Sequence, residues 1–129
     1  MKCIPRMSKE EIEEAATAYI TLPKSLFGEV IDGYVLKANG AGMRLAGIQD
    51  GDYLLFDSSV EVKSGDIVDA TVNSDHMCRR YIFRDGKHIF RREDGLTCDV
   101  IPDDFIIHGV MISLIRNYRR SEYTGDPDI

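Results

Sequence analysis

Gly40-Ala41-Gly42-Met43-Arg44-Leu45-Ala46-Gly47-Ile48-Gln49-Asp50-Gly51-Asp52 is the stretch on which the reading of this chain turns. Its glycines and the Asp50-Gly51-Asp52 triplet mark a turn-rich connection rather than a regular element. Short apolar runs flank it. Tyr34-Val35-Leu36-Lys37-Ala38 precedes it, bounded by Gly33 and Asn39-Gly40, and Tyr53-Leu54-Leu55-Phe56-Asp57 follows it. Both have the length and residue types of strands.

The same pattern continues downstream. Asp66 to Val72 starts after Ser64-Gly65 and alternates apolar with polar residues. His76 to Arg84 and Lys87 to Arg92 flank Asp85-Gly86, a strong two-residue hairpin signal. Phe105 to Ile115 is a long β-branched run in which Gly109 predicts a bend or bulge. Many short strands joined by glycine-containing turns predict a mostly β domain. Upstream, Ser8-Lys9-Glu10-Glu11 forms a capping box, and Ile12, Ala15, Ala16, Tyr19 and Ile20 recur at helical spacing. This predicts one N-terminal helix over about 9–19, ended before Pro23. The stretch Ser121 to Ile129 has turn composition and reads as a loose tail.

The 129 residues suit one domain with a real core, and 43% hydrophobic with 29% charged content is ordinary for a globular protein. No apolar run approaches the ~20 residues needed to span a bilayer. The N-terminus passes directly into Lys9-Glu10-Glu11, with no signal-peptide core. The net charge of −6 is opposite to that of most duplex-gripping domains. Arg79-Arg80, Arg91-Arg92 and Arg119-Arg120 read as solvated or salt-bridged faces. Cys3, Cys78 and Cys98 form no CxxC pair and read as thiols in a reducing compartment. His76, Cys78, His88 and Cys98 match no zinc spacing, so neither metal nor cofactor is expected.

The order of these pieces resembles the C-terminal domain of the LexA/UmuD-type self-cleaving serine peptidases. Leu22 to Phe27 looks like that family's lead into the first core strand, and Tyr34 to Gly40 like its strand before the nucleophile. Met43 with Gly47-Ile48-Gln49-Asp50-Gly51-Asp52-Tyr53-Leu54 resembles the pattern after it. Gly65 to Ala70, Arg79-Arg80-Tyr81 and Ile107 to Arg116 are similar to its later strands. The match covers roughly 20–117. It implies a LexA/signal-peptidase-like fold, twisted and partly barrel-like. The expected layout is a 1–20 arm with a helix, a 21–118 peptidase-fold domain and a 119–129 flexible tail. Too few residues precede the domain for a helix-turn-helix, so the layout is UmuD-like.

The resemblance also places the family's Ser/Lys dyad, and neither partner is there. The serine position falls on Gly42, which has no side-chain nucleophile. The lysine position falls on Arg79, whose guanidinium does not give up its proton in proteins and cannot serve as a base. A cleavable Ala-Gly bond in the N-terminal arm is missing too, since Ala41-Gly42 and Ala46-Gly47 lie inside the site segment itself. The expectation is a domain without enzymatic activity. It would act in the cytoplasm as a regulatory module, in dimerisation or peptide binding. Ala41, Gly42 and Met43 would keep an oxyanion-type cleft backbone. Val110, Ile112, Leu114 and Arg116 would supply a homodimer interface. A peptide or protein partner would lie in the cleft, with no direct DNA or membrane contact. The alternative is a self-processing peptidase, SOS-type repressor or UmuD-like polymerase accessory protein with altered catalytic residues.

Overall fold

A computed structural model describes residues 2–3, 23–96 and 98–118. In chain order the elements are β1 (Lys2–Cys3), α1 (Lys24–Phe27), β2 (Gly33–Asn39), a 3-10 turn (Arg44–Ala46), β3 (Tyr53–Asp57), β4 (Ile67–Val72), β5 (Asp75–Arg84), β6 (Lys87–Arg92), β7 (Cys98–Val100) and β8 (Phe105–Ile115). The strands form one antiparallel sheet in the order β1-β2-β3-β8-β4-β5-β6-β7. The mostly β expectation holds. The sheet curls far enough for β1, at one edge, to touch β5. It does not close, however: β1 and β7 remain its two edges, so the partly barrel-like expectation is met as curvature only. The helix expected over 9–19 and the tail at 119–129 lie outside the described residues. The described helix, α1, is a single turn entered from Pro23 and stopped by Gly28 at φ 70°.

Periodicity decides which way the strands face. In β2, Tyr34, Leu36 and Ala38 are buried while Val35, Lys37 and Asn39 are exposed, the period-two pattern of a strand with one face on a core. Those buried residues join Met43, Ile48, Leu54, Phe56 and Cys78 in one cluster. A second cluster holds Val68, Ala70, Val72, Tyr81, Phe90 and Val110. Asp85 and Gly86 both have positive φ, at 53° and 73°, which gives the type I′ geometry expected of the β5–β6 hairpin.

β8 carries two bulges. Asp69 pairs with Gly109 but Ala70 with Ile107, so His108 is the extra residue. Leu55 pairs with Ser113 but Phe56 with Met111, so Ile112 is the other. The irregularity expected near Gly109 is therefore present, and it serves to re-aim His108. Gly109 itself makes room for a ring: an added Cβ would lie 2.7 Å from the Tyr34 hydroxyl.

Among the described residues three carboxylates are buried, Asp52, Asp57 and Asp69. Asp57, at the end of β3, accepts from Ser59 N (2.8 Å), Ser59 Oγ (2.7 Å), Ile31 N (3.2 Å) and Asp32 N (3.2 Å). It thereby anchors the segment that enters β2. Burial alone would push its carboxyl up, but the Ser59 hydroxyl and the three backbone N–H groups outweigh burial and hold it below the ordinary carboxylate value. A depressed folded value gives stability that is present above the unfolded value of about 4 and lost as pH falls through the folded one. Urea midpoints measured across acid pH are expected to fall below about pH 4. Asp57→Asn should flatten that fall while lowering the neutral-pH midpoint.

Candidate functional site

Ala38 and Asn39 close β2, and Gly40 to Ile48 then turn back toward β3. The turn is knitted by its carbonyls. Ala41 O accepts from Arg44 N (3.2 Å), and Met43 O from Ala46 N (3.0 Å) and Ile48 N (3.3 Å). Gly40, Gly47 and Gly51 take positive φ, whereas Gly42 does not. A glycine-specific backbone angle is thus no explanation for Gly42. Gly42 is buried and closely approached instead: its carbonyl accepts from Glu93 N at 2.9 Å, and Leu45 N donates to Glu93 O at 3.0 Å. Of the expected cleft residues, Ala41 is exposed and Met43 is a fully buried member of the first core cluster.

β5 supplies the other side. Cys78 shares the core cluster with Met43. Arg79, next along the strand and half-buried, donates from Nη1 to Cys78 O at 2.7 Å. Arg80 binds the Glu93 carboxylate through Nε (3.0 Å) and Nη2 (2.8 Å). Glu93 therefore links the Gly42 backbone to β5, and Cys78 and Arg80 bracket Arg79 with contacts that reach the Gly42–Met43 segment. Sequence reading did not pick out Glu93. Its only cue was an acid following Arg91-Arg92, and its partners are remote in sequence.

β1 meets this same corner. Lys2 pairs with Asn39 and Cys3 with Ala38, antiparallel to the end of β2. An extended segment of the chain's own N-terminus thus lies beside the residues that lead into Gly40–Gly42, and it also touches β5.

The expected interface residues divide. β8 is flanked by β3 and β4, so both its edges are filled and it offers no free edge for strand pairing. Val110 is buried in the second core cluster, and Leu114 packs against the first. Ile112, at its bulge, is exposed. Arg116 is committed within the chain. Its Nε and Nη2 donate to the two oxygens of buried Asp52 at 2.9 and 2.8 Å, and Nη2 also reaches Gly47 O at 2.8 Å. The Asp52 contact raises the Arg116 guanidinium further above its ordinary value.

Of the arginine clusters read as solvated or salt-bridged faces, Arg91 forks onto Asp99, Arg92 meets Asp94 and Arg80 binds Glu93, while Arg119-Arg120 lies outside the described residues. Cys78 is a buried thiol and Cys98 an exposed one. No helix among the described residues is long and apolar enough to cross a membrane.

This fold, with a turn between β2 and β3 held against β5, defines a class. The chain belongs to the Peptidase S24-like family, whose model matches residues 3–91. Among named proteins it is similar to LexA repressors. It is 30% identical to that of Colwellia psychrerythraea over 120 residues, covering 89% of this chain and 54% of the relative. It is 36% identical to that of Polaromonas sp. over 118 residues, covering 88% and 47%. With that of Clostridium acetobutylicum it shares 27% identity over 114 residues, covering 88% and 54%. The chain spans about half the length of the curated relatives it matches.

Proposed function

We propose that this chain is a catalytically inactive member of its family that works as a cytoplasmic regulatory module holding an extended peptide strand in the former substrate cleft. The observation that carries the reading is β1 laid along Ala38–Asn39, immediately before a residue 42 that has no side chain. A strand held there gains backbone hydrogen bonds and side-chain recognition without being cut. Gly42 cannot attack a peptide bond, and Arg79 cannot accept the proton that an attacking hydroxyl would release. What remains is recognition, of the chain's own N-terminal strand or of a partner segment that takes its place. Homodimerisation belongs to the same reading. With β8 internal, it would use an exposed face near Ile112 rather than a strand edge.

A second reading rests on the relatives' name. The chain would be the regulatory half of a LexA-type repressor, with DNA contact made elsewhere; the net charge of −6 disfavours phosphate binding by this domain itself. Restoring both dyad residues separates recognition from lost chemistry. Gly42→Ser combined with Arg79→Lys is expected to yield little or no self-cleavage at alkaline pH, read by intact mass, because no fitting Ala-Gly bond lies in the N-terminal arm. Efficient cleavage would show a site that only its two side chains keep silent, and would overturn the claim that a fitting bond is missing.

A further inference from the structure

A polar cluster unrelated to the dyad positions sits where the Tyr34 side chain of β2 reaches across to β4. Its centre is Asp69 on β4, with no solvent exposure. Tyr34, from β2, donates its hydroxyl to Asp69 Oδ2 at 2.6 Å. His76, from β5, meets Asp69 Oδ1 through Nε2 and is itself 20% exposed. On the far side of β4 the bulge in β8 turns His108 onto Thr71, Nε2 to Oγ1 at 2.8 Å. The two imidazole rings lie 5.9 Å apart. One carboxylate thus ties β2, which the sheet order keeps apart, to the paired strands β4 and β5.

The charges make this junction conditional. An ionised carboxylate in the interior is costly unless a cation or several donors answer it. A protonated His76 provides that cation in direct contact, and the Tyr34 hydroxyl adds a donor. Around His76 are Asp69 and the cross-strand Thr71 from β4 and the His108 ring from β8, with Cys78 two positions along β5 and Tyr34 of β2 on the other oxygen of Asp69. Burial and a protonated His108 oppose the imidazolium. A carboxylate at hydrogen-bond contact outweighs both, because Coulomb energy rises steeply at short range in a poorly solvated site.

We propose that Tyr34, Asp69 and His76 form a protonation-dependent clasp that holds β2 across the sheet while His76 carries its proton and loosens when the proton is lost. β2 leads directly into Gly40–Met43, so the clasp sets how firmly the cleft corner is held. A proton held more tightly in the folded state stabilises the fold fully below the unfolded imidazole value near 6.5, and the gain disappears as pH rises through the folded value. The device therefore acts from near-neutral to mildly alkaline pH. That range is separate from the acid range in which Asp57 titrates.

The chain has three histidines, so imidazole titration by NMR is tractable, with His88→Gln and His108→Gln for assignment. His76 is expected to titrate above the free imidazole value of ~6.5, because the Asp69 carboxylate is in direct contact with it. Asp69→Asn should bring it back to that value or lower. The urea midpoint of the unaltered protein should fall between about pH 6 and pH 8.5, and His76→Gln should remove most of that fall. The NMR result stands even if Asp69→Asn fails to fold. Titration of His76 at or below the free value overturns the proposal, as does a stability profile that His76→Gln leaves unchanged.

Discussion

Gly109→Ala is expected to destabilise the domain by about 2–3 kcal/mol although it adds a single methyl group. The new Cβ would stand 2.7 Å from the Tyr34 hydroxyl, 2.9 Å from Cε1 and 3.1 Å from Cζ. A flexible surface side chain would step aside. Tyr34 has no such freedom: it is buried, stacked on Phe56 with ring centroids 5.5 Å apart, and hydrogen-bonded to Asp69 at 2.6 Å. Any movement that relieves the clash also strips a donor from a buried carboxylate, which adds about 1–3 kcal/mol of its own if the bond breaks outright. Urea denaturation at neutral pH measures the change. Adding Tyr34→Phe should relieve the closest contact but leave the ring contacts, so the double variant stays well below the unaltered protein. A change within about 0.5 kcal/mol would mean that Tyr34 does not occupy the space above Gly109.

The second large effect is expected at Asp52. This carboxylate is fully buried and accepts two guanidinium bonds from Arg116, and a third from Gln49 N at 2.8 Å. Together they fasten the Gly47–Asp52 turn to the end of β8. Asp52→Ala removes all three and should cost about 3 kcal/mol, roughly 10 °C in Tm for a domain of this size. The loss stays below the top of the range for buried pairs because Arg116 is partly exposed and water can take over its hydrogen bonds. The turn's backbone bonds, Ala38 N to Asp52 O and Asp52 N to Gln49 O, survive the change. Arg116→Ala should lower the midpoint further than Asp52→Ala, because it leaves the buried charge in place without its cation. Thermal denaturation of both variants tests this order.

Local signals carried most of the strand reading. The runs at Tyr53–Asp57, Lys87–Arg92 and Phe105–Ile115 coincide with strands because alternation and turn residues fix their limits. β1 and β7 escaped notice because two or three residues hold no periodicity. α1 escaped because a single turn after Pro23 is set by its neighbours rather than by an apolar stripe. The resemblance reached the segments around Gly42 and Arg79, but not the contacts that hold them. Glu93 bridges Gly42 and Arg80, and Asp52 meets Arg116 across 64 positions of sequence. Such pairs have no signature in spacing. The strand-edge argument for the interface failed for a related reason. Val110 and Leu114 look like a β-branched and aliphatic run awaiting a partner, and only the sheet order reveals that β3 and β4 already flank it.

The proposed absence of catalysis is tested most directly on the unaltered protein. Long incubation at alkaline pH followed by intact-mass measurement should return one species at the full chain mass, since neither residue 42 nor residue 79 can start the reaction. A shorter product that accumulates at a rate independent of protein concentration, and therefore within single molecules, would contradict this directly.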